Sequence, residues 1–159
     1  MAILTIVIGL VVPKLTDFFA GRSLFSEARR FISLTRYGQS RAIAEGVPIV
    51  LWINSKTGTY GLQQETGYND GDKKNMDFTL DKALKIDVSK GTIAIARSGT
   101  GQPKKGALPG IHFSPDGTIV QSTSVPGVSL QQANNQEHIV WIVPAANRLS
   151  YEVRNDNRR

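Results

Sequence analysis

The chain has 159 residues, enough for one compact domain with one extension, and its 40% hydrophobic content supports a modest core and excludes a disordered chain. It has no cysteine, which excludes a disulfide framework and a thiolate metal site. The net charge of +6 suits a polyanion or an anionic membrane surface as a neighbour and carries no information on fold.

Residues 3–12 read ILTIVIGLVV, ten residues whose only polar member is Thr5 and whose only helix-weakening member is Gly9. A bilayer span takes about 20 apolar residues, so this run alone is too short to cross. Nothing charged precedes Ile3, and Pro13-Lys14-Leu15 follows the run, which is not the order of a cleaved secretory signal. From residue 15 to 45 apolar and small residues recur at spacings of three, four and seven: Leu15, Phe18, Phe19, Phe25, Ala28, Phe31, Ile32, Thr35, Ala42 and Ile43. Arg22, Glu27, Arg29, Arg30, Arg36, Arg41 and Glu45 fill the gaps as a wet face, and Gly46 followed by Val47-Pro48 supplies a C-terminal stop. A proline in a lipid-embedded or packed helix kinks it without ending it, so residues 3–45 are predicted to form one helix. Such a helix is roughly 60 Å long, more than the rest of the chain covers, and its apolar end points to a bilayer and to neighbouring subunits. The chain thus divides into a stem (1–22), an amphipathic half of the same helix (23–46) and a β domain (47–159).

After Gly46 the hydrophobic period changes to two. Strands are predicted at 47–53, 59–64, 84–88, 92–96, 111–114, 118–121, 138–143 and 149–153. Residues 54–58, 114–117 and 144–147 are rich in turn formers and read as hairpin connections, so adjacent strands should pair antiparallel. Residues 65–77, 98–110 and 122–136 read as loops.

Four segments then carry a resemblance to the type IV pilin superfamily, and within it to the H-type minor pseudopilin of type II secretion systems and its FimT-type minor pilin relative. They are Gly9-Leu10-Val11-Val12-Pro13; Gly38-Gln39-Ser40-Arg41-Ala42-Ile43-Ala44-Glu45-Gly46-Val47-Pro48, similar to a family A-R-S-x-A-I-x-x-G-x-P helix end; Ile111-His112-Phe113-Ser114-Pro115-Asp116-Gly117, similar to an I-x-F-x-P-D-G hairpin; and the closing pair 138–143 and 147–153. The resemblance implies an α+β, type IV pilin-like fold, a long N-terminal helix packed on an antiparallel β-sheet or sandwich. It implies a non-enzymatic filament subunit without cofactor, held in the bacterial inner membrane with its β domain in the periplasm. Implied partners are other minor pseudopilins, the major pseudopilin, and the prepilin peptidase acting on the precursor. The family carries a basic leader, a Gly-Phe junction and a glutamate near the mature N-terminus, none of which this sequence contains. Its proline stands about 21 positions after the mature aromatic, whereas twelve residues precede Pro13 here, so about nine residues that would complete the span are expected upstream.

In the resemblance, stems pack as a helical bundle. Thr5, Gly9, Pro13 and Phe18 are the candidate packing residues, the small side chains of the first three permitting close approach or merely being tolerated in an apolar helix. Phe25, Ala28, Phe31 and Ile32 are the candidate seam between helix and sheet. Pro115, Asp116 and Gly117 form a candidate turn. His112, Ser114 and Asp116 include the residue types of a nucleophilic triad, but the turn explains them better. Asn69, Asp70, Asp72, Asn75 and Asp77 are rich enough in oxygen to suggest Ca²⁺, but Lys73 and Lys74 stand where further ligands belong, which favours a solvated acidic loop. Arg148, Arg154, Arg158 and Arg159, with Lys104 and Lys105, could form a patch for nucleic acid, the runner-up reading being a FimT-like pilin that binds DNA for uptake.

Overall fold

One helix dominates the molecule: α1 runs unbroken from Ala2–Glu45, through Pro13, in the computed structural model. The structure describes residues 2–65, 74–89, 108–121, 124–133, 138–147 and 149–155, with side chains from residue 21 onward. The amide of Gly46 closes the helix on the carbonyl of Ala42 at 3.0 Å, and the positive φ of Gly46, 66°, lets the chain turn away there.

Among the described residues eight strands follow: β1 (Ile49–Asn54), β2 (Thr59–Gln64), β3 (Met76–Thr79), β4 (Leu84–Val88), β5 (Gly110–Phe113), β6 (Val128–Gln132), β7 (Ile139–Pro144) and β8 (Tyr151–Asn155). They form two four-stranded antiparallel sheets, ordered β3-β2-β1-β5 and β4-β6-β7-β8. The 54–58 and 144–147 turns join neighbouring antiparallel strands, as hairpins must. β4, by contrast, leaves β3 and pairs with β6, so adjacency in sequence does not hold across that step.

Several expectations need correcting. The 65–77 loop ends in β3, and the 122–136 loop contains β6, whose Val128 and Leu130 alternate with polar neighbours over too few residues to outweigh the Pro126-Gly127 turn signal before them. Residues 118–121 are no strand: the chain there makes one isolated bridge, Phe113 to Ile119, and then turns. The 92–96 strand lies outside the described residues.

A single core lies between the helix and one face of each sheet. Helix α1 contributes Leu24, Ala28, Phe31, Leu34 and Ala42; the first sheet Ile49, Leu51, Ile53, Tyr60, Leu62, Ile111 and Phe113; the second Leu84, Ile86, Val128, Leu130, Val140, Ile142 and Tyr151. The helix phase differs from the sequence reading. Phe25 is 43% exposed and Ile43 57%, while Leu24 and Leu34 are buried. Adjacent helical residues point about 100° apart, so once Ala28 and Phe31 face the core, Leu24 one turn back joins them and Phe25 swings out.

Candidate assembly surface

The inner face of α1 is fastened to the β domain at three levels. Nearest the stem, Phe31 packs on Tyr60 with ring centroids 5.3 Å apart, and Tyr60 stacks on Phe78 at 5.7 Å. Ala28 beside them is fully buried and Ile32 is half-buried against the core. The Tyr60 hydroxyl donates to the carboxylate of Glu27, which also pairs with Arg30 at 3.5 Å. The Arg30 guanidinium in turn lies over the Phe78 ring, 4.3 Å from its centroid. Burial, with the Glu27 carboxylate beside it, pushes the Tyr60 hydroxyl well above the usual tyrosine range, so it stays a donor.

At the middle level Gly38 allows the helix to approach the sheet, since a Cβ there would lie 2.8 Å from Leu62 and 2.9 Å from Phe113. Gln39 donates from Nε2 to the carbonyl of Gly117 and, at 3.1 Å, to that of Leu149, tying both turns to one helical side chain. The Pro115-Asp116-Gly117 turn that receives this clamp is built by its own residues. Asp116 accepts from the amide and hydroxyl of Thr118 at 2.9 and 2.7 Å, and Gly117 takes φ 83° under the Ile43 side chain.

At the helix end Glu45 is a hub. It accepts from Arg41 Nε at 3.1 Å, Lys74 Nζ at 2.8 Å and Gln64 Nε2 at 3.0 Å. Arg41, placed by sequence on the wet face, is only 4% exposed; its Nη1 reaches the Lys74 carbonyl at 3.1 Å, so the guanidinium is held between helix and sheet. Hydrogen bonds from Arg41, then Lys74 and Gln64, hold the Glu45 carboxyl down at about 2 from 4.5, outweighing burial. A carboxyl depressed on folding stabilises above its unfolded value and ceases to as pH falls through its folded one. Glu45 therefore contributes fully above pH 4.5 and loses its contribution on acidification towards about 2. Urea midpoints measured from pH 6 to pH 2, a range of about four units around that window, should fall less steeply for Glu45→Gln, which lacks the titrating group.

The family model of the type II transport protein GspH matches residues 27–146, from the middle of α1 through β7. The chain belongs to the GspH family. Among solved structures it is similar to the minor pseudopilin EpsH from the type 2 secretion system of Vibrio cholerae. One EpsH structure is 16% identical with a TM-score of 0.54, covering 84% of this chain and 95% of that one. A crystal structure of EpsH is 15% identical with a TM-score of 0.53, covering 84% and 93%. At these identities the likeness is one of fold, the pilin-like α+β arrangement of a helix on antiparallel sheets. No curated protein matches the sequence.

The remaining sequence-predicted residues of this GspH-family chain fall as follows. Thr5, Gly9, Pro13 and Phe18 lie on the N-terminal part of α1, where side chains are outside the described residues. Among the described residues no helix is long and apolar enough to cross a membrane. His112 faces Glu65, Nδ1 to Oε1 3.5 Å, and burial holds its imidazole below the usual range against the pull of that carboxylate. Asp116 is committed to its own turn, so the His112, Ser114 and Asp116 types are not organised as a triad. Asp77 sits on β3 opposite Gly61, while Asp70 and Asp72 lie outside the described residues. Arg154 is paired with Glu152, Nη2 to Oε1 2.9 Å, and Arg148, Arg158 and Arg159 lie outside the described residues. Sequence reasoning missed Gln39 and the Glu45 hub as connectors, because apart from Arg41, one helical turn before Glu45, their partners stand at separations from 19 to 110 residues along the chain that no local pattern encodes.

Proposed function

We propose that this chain is a minor pseudopilin subunit of a type II secretion pseudopilus, acting by assembly in protein export across the outer membrane. The stem is held in the inner membrane before assembly, the β domain lies in the periplasm, and the partners are the other minor pseudopilins and the major pseudopilin. The prepilin peptidase acts on the precursor. The observation that supports this reading is that the GspH match runs from the helix seam through seven of the eight described strands, so the family likeness lies on most of the folded domain and not on one motif. The exposed pair with Glu152 offsets the charge of Arg154, the one described cation of the C-terminal arginine group, and so lowers the positive potential a phosphate backbone would meet there, which weighs against DNA uptake.

Deleting the gene should leave type II substrates in the periplasm, and the full chain should restore their export. In gel-shift titrations of the full chain in detergent with duplex DNA, retardation at low salt should be absent. Normal export combined with salt-sensitive retardation that is lost on replacing Arg154, Arg158 and Arg159 would replace the secretion reading with the DNA-uptake one.

A further inference from the structure

The outer face of α1 is built from two rows with seven-residue spacing. Arg22, Arg29 and Arg36 form one, Ser26, Ser33 and Ser40 the other, and all six are exposed. Seven residues make nearly two turns, so each row runs along the helix in steps of about 10.5 Å with a drift of about 20° per step. Phe25 and Ile43, five turns apart and therefore at one angle, flank the arginine row with 43% and 57% of their surface exposed.

The acids nearby are committed inward. From residue 21 to 45 the only carboxylates are Glu27, occupied by Tyr60 and Arg30, and Glu45, occupied by Arg41, Lys74 and Gln64. Among the described residues no carboxylate stands within ion-pair distance of Arg22, Arg29 or Arg36. The face therefore presents three cations in line beside a trough of small side chains, with an apolar flank.

We propose that this face of α1 docks an α-helix of a different subunit of the same assembly, one carrying carboxylates at seven-residue spacing, each paired with Arg22, Arg29 or Arg36. This rests on the pseudopilin reading. Spacing argues for a helix, because any α-helix repeats its own side chains every seven residues with the same rise, so three pairs form in register. The serine row lets the two backbones come close, as small residues do between packed helices. Charge argues for a different chain, since the same face of a second copy would set arginine against arginine. A lipid surface fits worse: a helix whose apolar end enters the bilayer carries Arg36 about 21 Å along its axis from Arg22, beyond one headgroup layer.

The absence of cysteine makes the test direct. In the full chain Ser33→Cys introduces the only thiol, and a benzophenone maleimide attached there reports what lies against the face when the chain is co-expressed in membranes with the other pseudopilins of its secretion system. The expected product joins this chain to the N-terminal helix of one other pseudopilin. Its yield should fall about tenfold when Arg22, Arg29 and Arg36 are all changed to Glu, by less when all are changed to Gln, and recover when the facing acids of the partner are changed to Lys. An unchanged yield in both triple variants overturns the inference, as does a product made only with lipid, nucleic acid or a second copy. The same probe carried by Ser55→Cys, on the β1–β2 turn, separates the two levels. Adducts to pseudopilins from the Ser55→Cys chain but none from the Ser33→Cys chain sink this surface and leave the function standing, whereas adducts from neither chain, with export intact in the deletion strain, sink both.

Discussion

Phe31→Ala should lower the unfolding free energy by about 3–5 kcal/mol, the range for emptying a fully buried aromatic site. Phe31 is 0% exposed, and its ring is the side of the Phe31–Tyr60–Phe78 stack that joins helix to sheet. Removing it opens a cavity under Tyr60, whose hydroxyl remains tethered to Glu27, so the neighbouring ring cannot simply collapse into the gap. Phe25→Ala, six residues back on the exposed side, should change stability by no more than about 0.5 kcal/mol. Urea unfolding of the full chain in detergent, followed by tryptophan fluorescence, measures both. Equal losses at the two positions would mean that the helix docks in the phase first read from the sequence, with Phe25 inward.

That contrast shows how far local pattern carries. The long helix, its stop at Gly46 and most strands follow from period, propensity and turn chemistry, all of which act between residues close in sequence. Helix phase depends on which of two adjacent bulky residues, Leu24 or Phe25, meets the sheets, and both fit the same three-four spacing. Sheet assignment is non-local in the same way: nothing in the 84–88 segment says that it will leave β3 and pair with residues 128–132. Short strands are hidden further by composition. β3 reads Met-Asp-Phe-Thr at the edge of the first sheet, half of it wet, directly after a polar run. The pairing that makes these four residues a strand is with β2, and it brings Gly61 against Asp77. For the candidate site, the turn at 115–117 was legible because its chemistry is its own; the Gln39 clamp on it and the buried Arg41 were not, because their partners are assembled only by the fold.

Gly61→Ala should destabilise the protein by roughly 1–2 kcal/mol, although alanine ordinarily suits a strand better than glycine. Replacing glycine where the backbone is unstrained gains about 0.4–1 kcal/mol by reducing the freedom of the unfolded chain. Against that stands a backbone contact. A Cβ on Gly61 would lie 2.0 Å from the Met76 carbonyl oxygen, 2.8 Å from the Trp52 ring and 3.1 Å from the Asp77 carboxylate. A side chain can rotate away from such a contact, but a carbonyl in a strand ladder cannot, so β3 must shift off β2. Overpacking a tight site costs about 1–3 kcal/mol and more where backbone has to move, which exceeds the entropic gain. Trp52, only 3% exposed beside Gly61, should report the shift as a red-shifted emission before global unfolding. Amides of 76–79 should also exchange faster, while those of β7 keep the protection set by global stability. Gly21→Ala supplies the opposite sign: nothing stands within 4 Å of its Cβ and it is helical, so up to about 1 kcal/mol of stabilisation is expected from propensity. A stabilised Gly61→Ala would show that β3 is not paired to β2 as closely as this register requires.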